Sequence, residues 1–363
     1  MIQKIQKCLV FSMLIVLIIP CTGQACTTFL LEHDGRQFFG KNYDWHLGSG
    51  LAIINQRGIT KTALKGRRKD PVAYPSWTSK YGSLTFNQYG RELPSGGINE
   101  AGLTIEVMML YETQYSKPDA RNPITELQWI QFQLDNCSSV NQVIETNSKI
   151  RILHKETPVH FLVADKSGNC VSIEWIDGKM VYHTKDSMPV KVLANNTYKD
   201  SIRYLNRHKG FGGTLSIHHT GISLDRFVIA ASMLKQYQSQ PEKPMADYAF
   251  DILKNVSQVS TQWSIVYDLQ KLRVHFIIHS TPNRKIKFVD LLDFDLSCNG
   301  PVKVINLETD LSGNITDKFS DYSREKNQKI IKHAFSNTSF VSNMDDETVM
   351  KRVLYPETTT CDN

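Results

Sequence analysis

The stretch that decides the reading of this chain is residues 26–45, CTTFLLEHDGRQFFGKNYDW. Two runs with strand composition flank the dipeptide Asp34-Gly35. An Asp-Gly pair marks a two-residue hairpin turn, because the favoured turn needs positive φ at both central positions. With Asp34 and Gly35 at the tip, His33 faces Arg36, and that register fixes every later pairing. Cys26 then lies opposite position 43, and Lys41, Asn42 and Asp44 return beside it. Turn geometry alone therefore predicts a carboxylate and a cation next to a thiol.

What precedes Cys26 gives the thiol a second meaning. Lys4 and Lys7 form a basic start, Cys8–Ile19 is almost wholly apolar, and Gly23-Gln24-Ala25 supplies a small-x-small pattern. This reads as a secretory signal over residues 1–25, cleaved between Ala25 and Cys26, with the product exported to the periplasm or beyond the cell. Cleavage there leaves a cysteine as the first residue, with a thiol and a free α-amine on one Cα. The amine has a reference pKa of about 7.7–8.0 and can serve as a base near neutral pH. A nucleophile carrying its own base is a route to covalent amide hydrolysis. Two other readings stay open on these residues: Cys26 as a lipid attachment site, or as half of a disulfide. Gly23 stands where a lipid-attachment signal usually has an aliphatic residue, and Pro20 directly precedes Cys21.

The composition bounds the rest. A chain of 363 residues with 41% hydrophobic and 21% charged content has the make-up of a soluble globular protein with a sizeable core. A net charge of +6 without a basic stripe gives no reason to expect a nucleic-acid partner. Beyond the signal, no segment is apolar for long enough to span a membrane. Cys26, Cys137, Cys170, Cys298 and Cys361 are odd in number and widely spaced, which is neither a disulfide framework nor a zinc pattern. At least one free thiol is implied, with Cys26 the candidate.

Strand-like runs continue at Leu51–Asn55, Leu84–Asn87 and Leu103–Leu110, followed by helical patterning over 125–146, where Ser139 and Gln142 suggest a capping box. A meander follows: His160–Ala164, Cys170–Ile176, the turn Asp177-Gly178, and Lys179–His183. Val190–Ala194 reads as a strand that delivers Asn195 and Asn196. Ser223 reads as the cap of a helix through Tyr237 with Arg226 in its first turn, and Met245–Val256 as a second helix. Strands return at Trp263–Tyr267, Arg273–His279 and Lys287–Val289. Two strand-rich blocks flanking paired helices indicate an α+β domain with layered sheets. Residues 26–300 read as that domain. Residues 301–363 are polar, with one helix near Ser323–Phe335, and read as a C-terminal appendage without a derivable role.

Phosphate-binding and dinucleotide fingerprints are absent. Gly210-Phe-Gly-Gly213 reads as a loop, and His218-His219 lacks a third metal ligand at useful spacing, so no metal and no cofactor is expected. The hairpin cluster is different. Cys26-Thr-Thr-Phe and Phe39-Gly-Lys-Asn-Tyr-Asp-Trp45 are followed by Trp77-Thr-Ser-Lys-Tyr-Gly82, Gly97-Ile-Asn-Glu-Ala-Gly-Leu103 and Ala164-Asp-Lys-Ser-Gly168. Leu193-Ala-Asn-Asn196, Ser223-Leu-Asp-Arg-Phe227 and Ser260-Thr-Gln-Trp263 complete the order. Together they resemble the choloylglycine hydrolase and penicillin V acylase family of N-terminal nucleophile amidohydrolases, most nearly its secreted Gram-negative members.

The resemblance implies a four-layer αββα sandwich and hydrolysis of a linear amide. It implies Cys26 as nucleophile and Asp44 as the group that holds the α-amine and thiol. Asn195 would offer its side-chain amide to the tetrahedral oxyanion. Arg226 and Lys41 would bring positive charge that favours thiolate. Met109 and Trp45 would line the substrate pocket, Met109 also contributing its backbone to the oxyanion hole, and with Met108 they would suit an apolar acyl group. Two residues depart from the family pattern: Lys41 stands where arginine is usual, and Met109 where asparagine, tyrosine or tryptophan is usual. Lysine keeps the charge and loses the planar fork. The implied partner is a small N-acyl amide such as penicillin V, a conjugated bile salt, an N-acyl amino acid or an N-acyl homoserine lactone. A homotetramer is the assembly the resemblance leaves room for. The rival reading is a lipid-anchored or secreted binding protein of the same fold without turnover.

Overall fold

The computed structural model describes residues 26–362 apart from 66–69, 155, 240, 242, 340 and 343, so the signal expected over residues 1–25 lies outside the described residues. The hairpin forms in the expected register. Strands Thr27–His33 and Arg36–Asp44 pair with His33 opposite Arg36 and Thr27 opposite Asn42. Asp34 and Gly35 have φ of 47° and 71°, the left-handed pair that matches a two-residue turn to the strand twist. Asp177-Gly178 repeats the device, with φ of 51° and 76°.

The hairpin sits inside a seven-stranded sheet. Its order is Val192–Leu193, Thr27–His33, Arg36–Asp44, Thr261–Asp268, Arg273–Ile278, Lys287–Asp290 and Gly313–Asn314. A nine-stranded sheet faces it, ordered Lys179–Thr184, Cys170–Ile176, Val159–Ala164, Thr104–Met109, Pro94–Asn99, Ser83–Asn87, Leu51–Asn55, Lys303–Asn306 and Ser320–Asp321. Helices Ser223–Ser239 and Met245–Asn255 cover the outer face of the first sheet, and helix Glu126–Asn136 packs on the outer face of the second. The result is the αββα sandwich. Side chains from the two sheets meet between them: Phe86 makes edge-to-face contacts with Tyr267 and Phe276, and the Thr28 hydroxyl donates to the Met108 sulfur at 3.1 Å.

Strand alternation then sorts the hairpin's side chains into two environments. Thr28 and Lys41 point between the sheets, where Lys41 donates to the Val107 carbonyl. Thr27 and Asn42 point the other way, to Arg226 and to the Leu253 carbonyl on the helical layer. The hairpin can sit so close to its neighbours because Gly40 has no side chain. A Cβ there would lie 2.2–2.8 Å from carbons of the buried Phe29 ring on the facing strand.

Several elements differ from the sequence expectations. The run Val190–Ala194 is strand only at Val192–Leu193, because the chain leaves the sheet edge as soon as it turns toward Asn195. The Ser139 hydroxyl accepts from the Gln142 backbone, but the Gln142 side chain returns to the backbone N–H of Ser138, one residue early. Ser223 is the first helical residue, and its hydroxyl accepts the Asn195 backbone N–H at 2.7 Å. Cys298 and Cys361 form a disulfide, while Cys26, Cys137 and Cys170 are free and buried. Spacing gave no hint of that bridge, since 63 residues separate its ends in sequence. Residues beyond 300 contribute strands to both sheets and two helices, Arg324–Asn337 and Asp346–Leu354.

Gly40→Ala is expected to overpack Phe29 and destabilise the fold by roughly 1–3 kcal/mol. Urea unfolding should show a lower midpoint at unchanged slope. A midpoint equal to that of the parent would show that the Phe29 ring is not held against Gly40.

Candidate active site

Cys26 is 5% exposed and stands at the start of the first hairpin strand. Its side chain shares the inter-sheet face with Thr28, Lys41 and Tyr43. Lys41 is fully buried, and its ammonium lies 3.9 Å from Glu106 Oε2. The other Glu106 oxygen accepts the Tyr267 hydroxyl. Room for this carboxylate comes from Gly96 on the neighbouring strand, where a Cβ would lie 2.2–2.4 Å from the carboxylate atoms. Burial lifts Glu106 to about 7, although Lys41 and the Tyr267 hydrogen bond both pull it down.

Asp44 and Arg226 meet on the opposite face of the hairpin. Asp44 Oδ1 accepts the Thr261 hydroxyl at 2.5 Å, at the point where the adjoining strand departs from regular register. Asp44 Oδ2 is 3.9 Å from Arg226 Nη1 and accepts no hydrogen bond among the described residues. Burial raises Asp44 to about 6, against the opposing pull of Arg226, Thr261 and Lys41. Arg226 is 1% exposed. Its Nη1 donates to the Cys26 carbonyl at 2.7 Å and to the Thr27 hydroxyl at 2.5 Å, its Nη2 to Asn195 Oδ1 at 3.0 Å, and its Nε to the Gly221 carbonyl at 3.1 Å. Asn195 in turn donates from Nδ2 to the Met109 carbonyl at 2.9 Å. That amide carries two hydrogens, so one remains for another acceptor.

Lys41 and Arg226 act on the thiol in the expected direction, toward thiolate, but burial outweighs them. Burial is the largest influence and pushes Cys26 above the usual thiol range. Lys41, a backbone hydrogen bond from Asp44 and Arg226 act downward but do not reverse this, and the Asp44 charge acts upward. At neutral pH the group is a thiol, and its use as a nucleophile requires a proton acceptor.

Cys26 opens into a cavity of about 640 Å³, lined also by Tyr43, Trp45, Val107, Met108 and Met109. Of the residues singled out in the sequence, Cys26, Trp45 and Met109 line this space, while Lys41, Asp44, Asn195 and Arg226 stand behind it. Among the described residues no group of three or more histidines, cysteines or carboxylates is placed to hold a metal ion.

The sequence reading missed a buried pair beneath the site. His160 Nε2 lies 2.7 Å from the Ala194 carbonyl and Nδ1 3.2 Å from Glu174, which also accepts the Tyr198 backbone N–H at 2.7 Å. This pair pins the segment that carries Asn195. Glu106 was missed too, and Thr261 stood only within the quoted Ser260-Thr-Gln-Trp263, without a role. His160, Glu174 and Glu106 alternate along strands like any inward residue, and no local pattern separates them from core.

The matched family is described as linear amide C–N hydrolases, choloylglycine hydrolase family, and the match runs over residues 26–304. The penicillin V acylase of Pectobacterium atrosepticum is 30% identical over 266 residues, covering 62% of this chain and 70% of that protein. The structure of penicillin V acylase from Agrobacterium tumefaciens superposes with a TM-score of 0.70 at 25% identity, covering 82% of this chain and 98% of that one. A variant of the conjugated bile acid hydrolase from Clostridium perfringens shares the fold, with a TM-score of 0.63 at 20% identity over 82% of this chain and 97% of that one. A buried cysteine at the head of the central hairpin, ringed by Lys41, Asp44, Asn195 and Arg226, thus stands in a chain that belongs to the choloylglycine hydrolase family of linear amide C–N hydrolases.

Proposed function

We propose that this hydrolase is exported, loses residues 1–25, and cleaves the amide of a small N-acyl compound with Cys26 as an N-terminal nucleophile. The observation that carries the reading is the buried Asp44 carboxylate, with one oxygen left without a hydrogen bond among the described residues, beside a thiol that needs a base. The α-nitrogen of Cys26 supplies both: its N–H donates to that oxygen, and as the free amine it is the base. The Cys298–Cys361 disulfide supports export, since such bridges persist in oxidising compartments.

The chemistry follows from those groups. The α-amine takes the thiol proton, and the sulfur attacks the acyl carbonyl carbon. The carbonyl electron pair moves to oxygen, where the second Asn195 amide hydrogen and a backbone donor near Met109 meet the developing charge. The α-ammonium protonates the departing nitrogen as the C–N bond breaks. Water then attacks the thioester carbonyl carbon and gives a proton to the α-amine; as the C–S bond breaks, the α-ammonium returns that proton to the departing sulfur and the acid is released. Asp44 holds the α-nitrogen as it cycles between amine and ammonium, Arg226 fixes Asn195 and the Cys26 carbonyl, and Lys41 stabilises negative charge on the thiol face. Trp45, Met108 and Met109 receive the acyl group. Penicillin V, conjugated bile salts, N-acyl amino acids and N-acyl homoserine lactones are the candidate substrates, and turnover of that panel decides among them.

A variant that retains Ala25 ahead of Cys26 should be nearly inert, because an amide nitrogen has no basic lone pair, and Cys26→Ala should match it. Full turnover by the Ala25-extended protein would sink the N-terminal nucleophile mechanism in favour of a separate base.

The acid side of the pH profile should report Asp44. Its carboxyl is raised, so the neutral form persists to higher pH than usual, and kcat/KM is expected to fall as pH drops through about 6. Asp44→Asn should cost on the order of 10²–10⁴ in rate and remove that limb. An acid limb at the same pH in the variant would assign it to another group.

Lys41→Met should shift the rate of Cys26 alkylation to higher pH, by on the order of one pH unit, because a cation on the thiol's face is lost. An unchanged profile would show that Glu106 fully neutralises Lys41.

A further inference from the structure

The family match ends at residue 304, yet four residues beyond it line the same cavity as Cys26: Phe335, Val341, Met344 and Arg352. We infer that the C-terminal helices Arg324–Asn337 and Asp346–Leu354 form a wall of the substrate site and select a large apolar acyl group. This rests on the reading of Cys26 as the nucleophile of that cavity.

The wall is built rather than draped. Ile330, Ile331, Ala334 and Phe335 pack with Val349 and Val353 on Leu51, Ile53, Val302 and Val304, a core separate from the one beneath the hairpin. Gly90 permits the close approach: its φ is +107°, and a Cβ there would lie 2.6 Å from the Ile331 side chain. Asn327 ties three pieces together. Its Oδ1 accepts the Arg91 backbone N–H at 2.9 Å, and its Nδ2 donates to the Val353 carbonyl at 3.2 Å. Arg324 pairs with Glu357, and the Cys298–Cys361 disulfide anchors the end of the segment. Nearest the site, His46 Nε2 lies 2.9 Å from the Asn337 carbonyl, next to the pocket residue Trp45.

Three of the four side chains the segment presents, Phe335, Val341 and Met344, are apolar, and Arg352 is the fourth; Glu126, His154 and Glu156 line the cavity from the rest of the chain. Phe335 is 4% exposed and stands edge-to-face with Tyr89 at 6.2 Å, and Tyr89 also lines the cavity. The Arg352 guanidinium lies 5.3 Å from the Phe335 ring centroid and fixes its plane from the second helix. Met344 is half-buried and adds a flexible thioether to those of Met108 and Met109, which suits an adaptable apolar surface. About 640 Å³ is in the range that encloses a drug-sized ligand, far more than a short acyl chain fills. The segment therefore contributes to recognition of aryl-alkyl or medium-chain acyl groups and not to the bond-breaking step.

The test separates this from the nucleophile reading. The mature full chain is treated with iodoacetamide, which needs only the thiol, and with butyl and decyl chloromethyl ketones, whose apolar arms occupy the cavity while Cys26 displaces chloride. Intact mass gives the rates. The parent protein should react with the decyl reagent at least about tenfold faster than with the butyl one. Phe335→Ala and Met344→Trp should each cut that preference by about tenfold, the first by removing wall and the second by filling the cavity, with iodoacetamide rates unchanged. Lys332→Ala, on the exposed side of the same helix, should keep the parent's preference. If Phe335→Ala proves unfolded, Met344→Trp at a half-buried position carries the result. A parental decyl-to-butyl ratio in folded Phe335→Ala or in Met344→Trp overturns the wall. Failure of Cys26 to react even with iodoacetamide in the parent overturns the nucleophile reading beneath it.

Discussion

A single buried cation organises this site. Arg226 sits one turn into its helix at 1% exposure, and a guanidinium so placed is costly unless its hydrogens find acceptors. The acceptors it finds are the Cys26 carbonyl, the Thr27 hydroxyl, Asn195 Oδ1 and the Gly221 carbonyl, with Asp44 within ion-pair distance. A guanidinium offers five N–H donors in a fixed planar fork, against three on an ammonium, and here they reach four acceptors. The residue that bears the thiol, the amide donor and the carboxylate are therefore not three independent placements. They are fixed by one side chain, and the helix that carries it is held to the hairpin by the same bonds.

Alternation along the hairpin divides the remaining work. The thiol face holds Lys41, with Tyr267 on the adjoining strand of the same sheet and Glu106 across the gap; the helical face holds Thr27, Asn42, Asp44 and Arg226. Burial raises both carboxyls, Asp44 to about 6 and Glu106 to about 7. Both shifts move carboxyl titration out of the usual acidic range, because burial disfavours the charged forms. Lys41 brings its charge as a compact ammonium, which meets the Val107 carbonyl and lies within ion-pair distance of Glu106.

What the sequence by itself determined follows from interactions local in the chain. Asp34-Gly35 set the hairpin register to the residue, because turn geometry permits few alternatives and a one-residue slip would expose every inward side chain. That register placed Lys41 and Asp44 near Cys26. The composition and order of elements gave the α+β layering, and Arg226 falls in the first turn of its helix as expected. The ordered motifs, from Cys26-Thr-Thr-Phe to Trp263, carried the family.

The tertiary structure decided what no local pattern encodes. Which face of the hairpin meets a second sheet is settled by packing, and packing is what pushes the Cys26 thiol up where neighbouring charges alone argued for thiolate. His160 and Glu174 carry nothing in the sequence that marks them as supports of Asn195, since an inward strand histidine looks the same in any core. Cys298 and Cys361 came together only through the fold of the intervening chain. Phe335 and Met344 lie some 300 residues from Cys26 in sequence, yet they share its cavity, because the nine-stranded sheet brings Leu51–Asn55 beside Lys303–Asn306 and carries the C-terminal helices with it. Desolvation and long-range packing depend on which distant surfaces are buried together, and that is a property of the assembled layers and not of any stretch of chain.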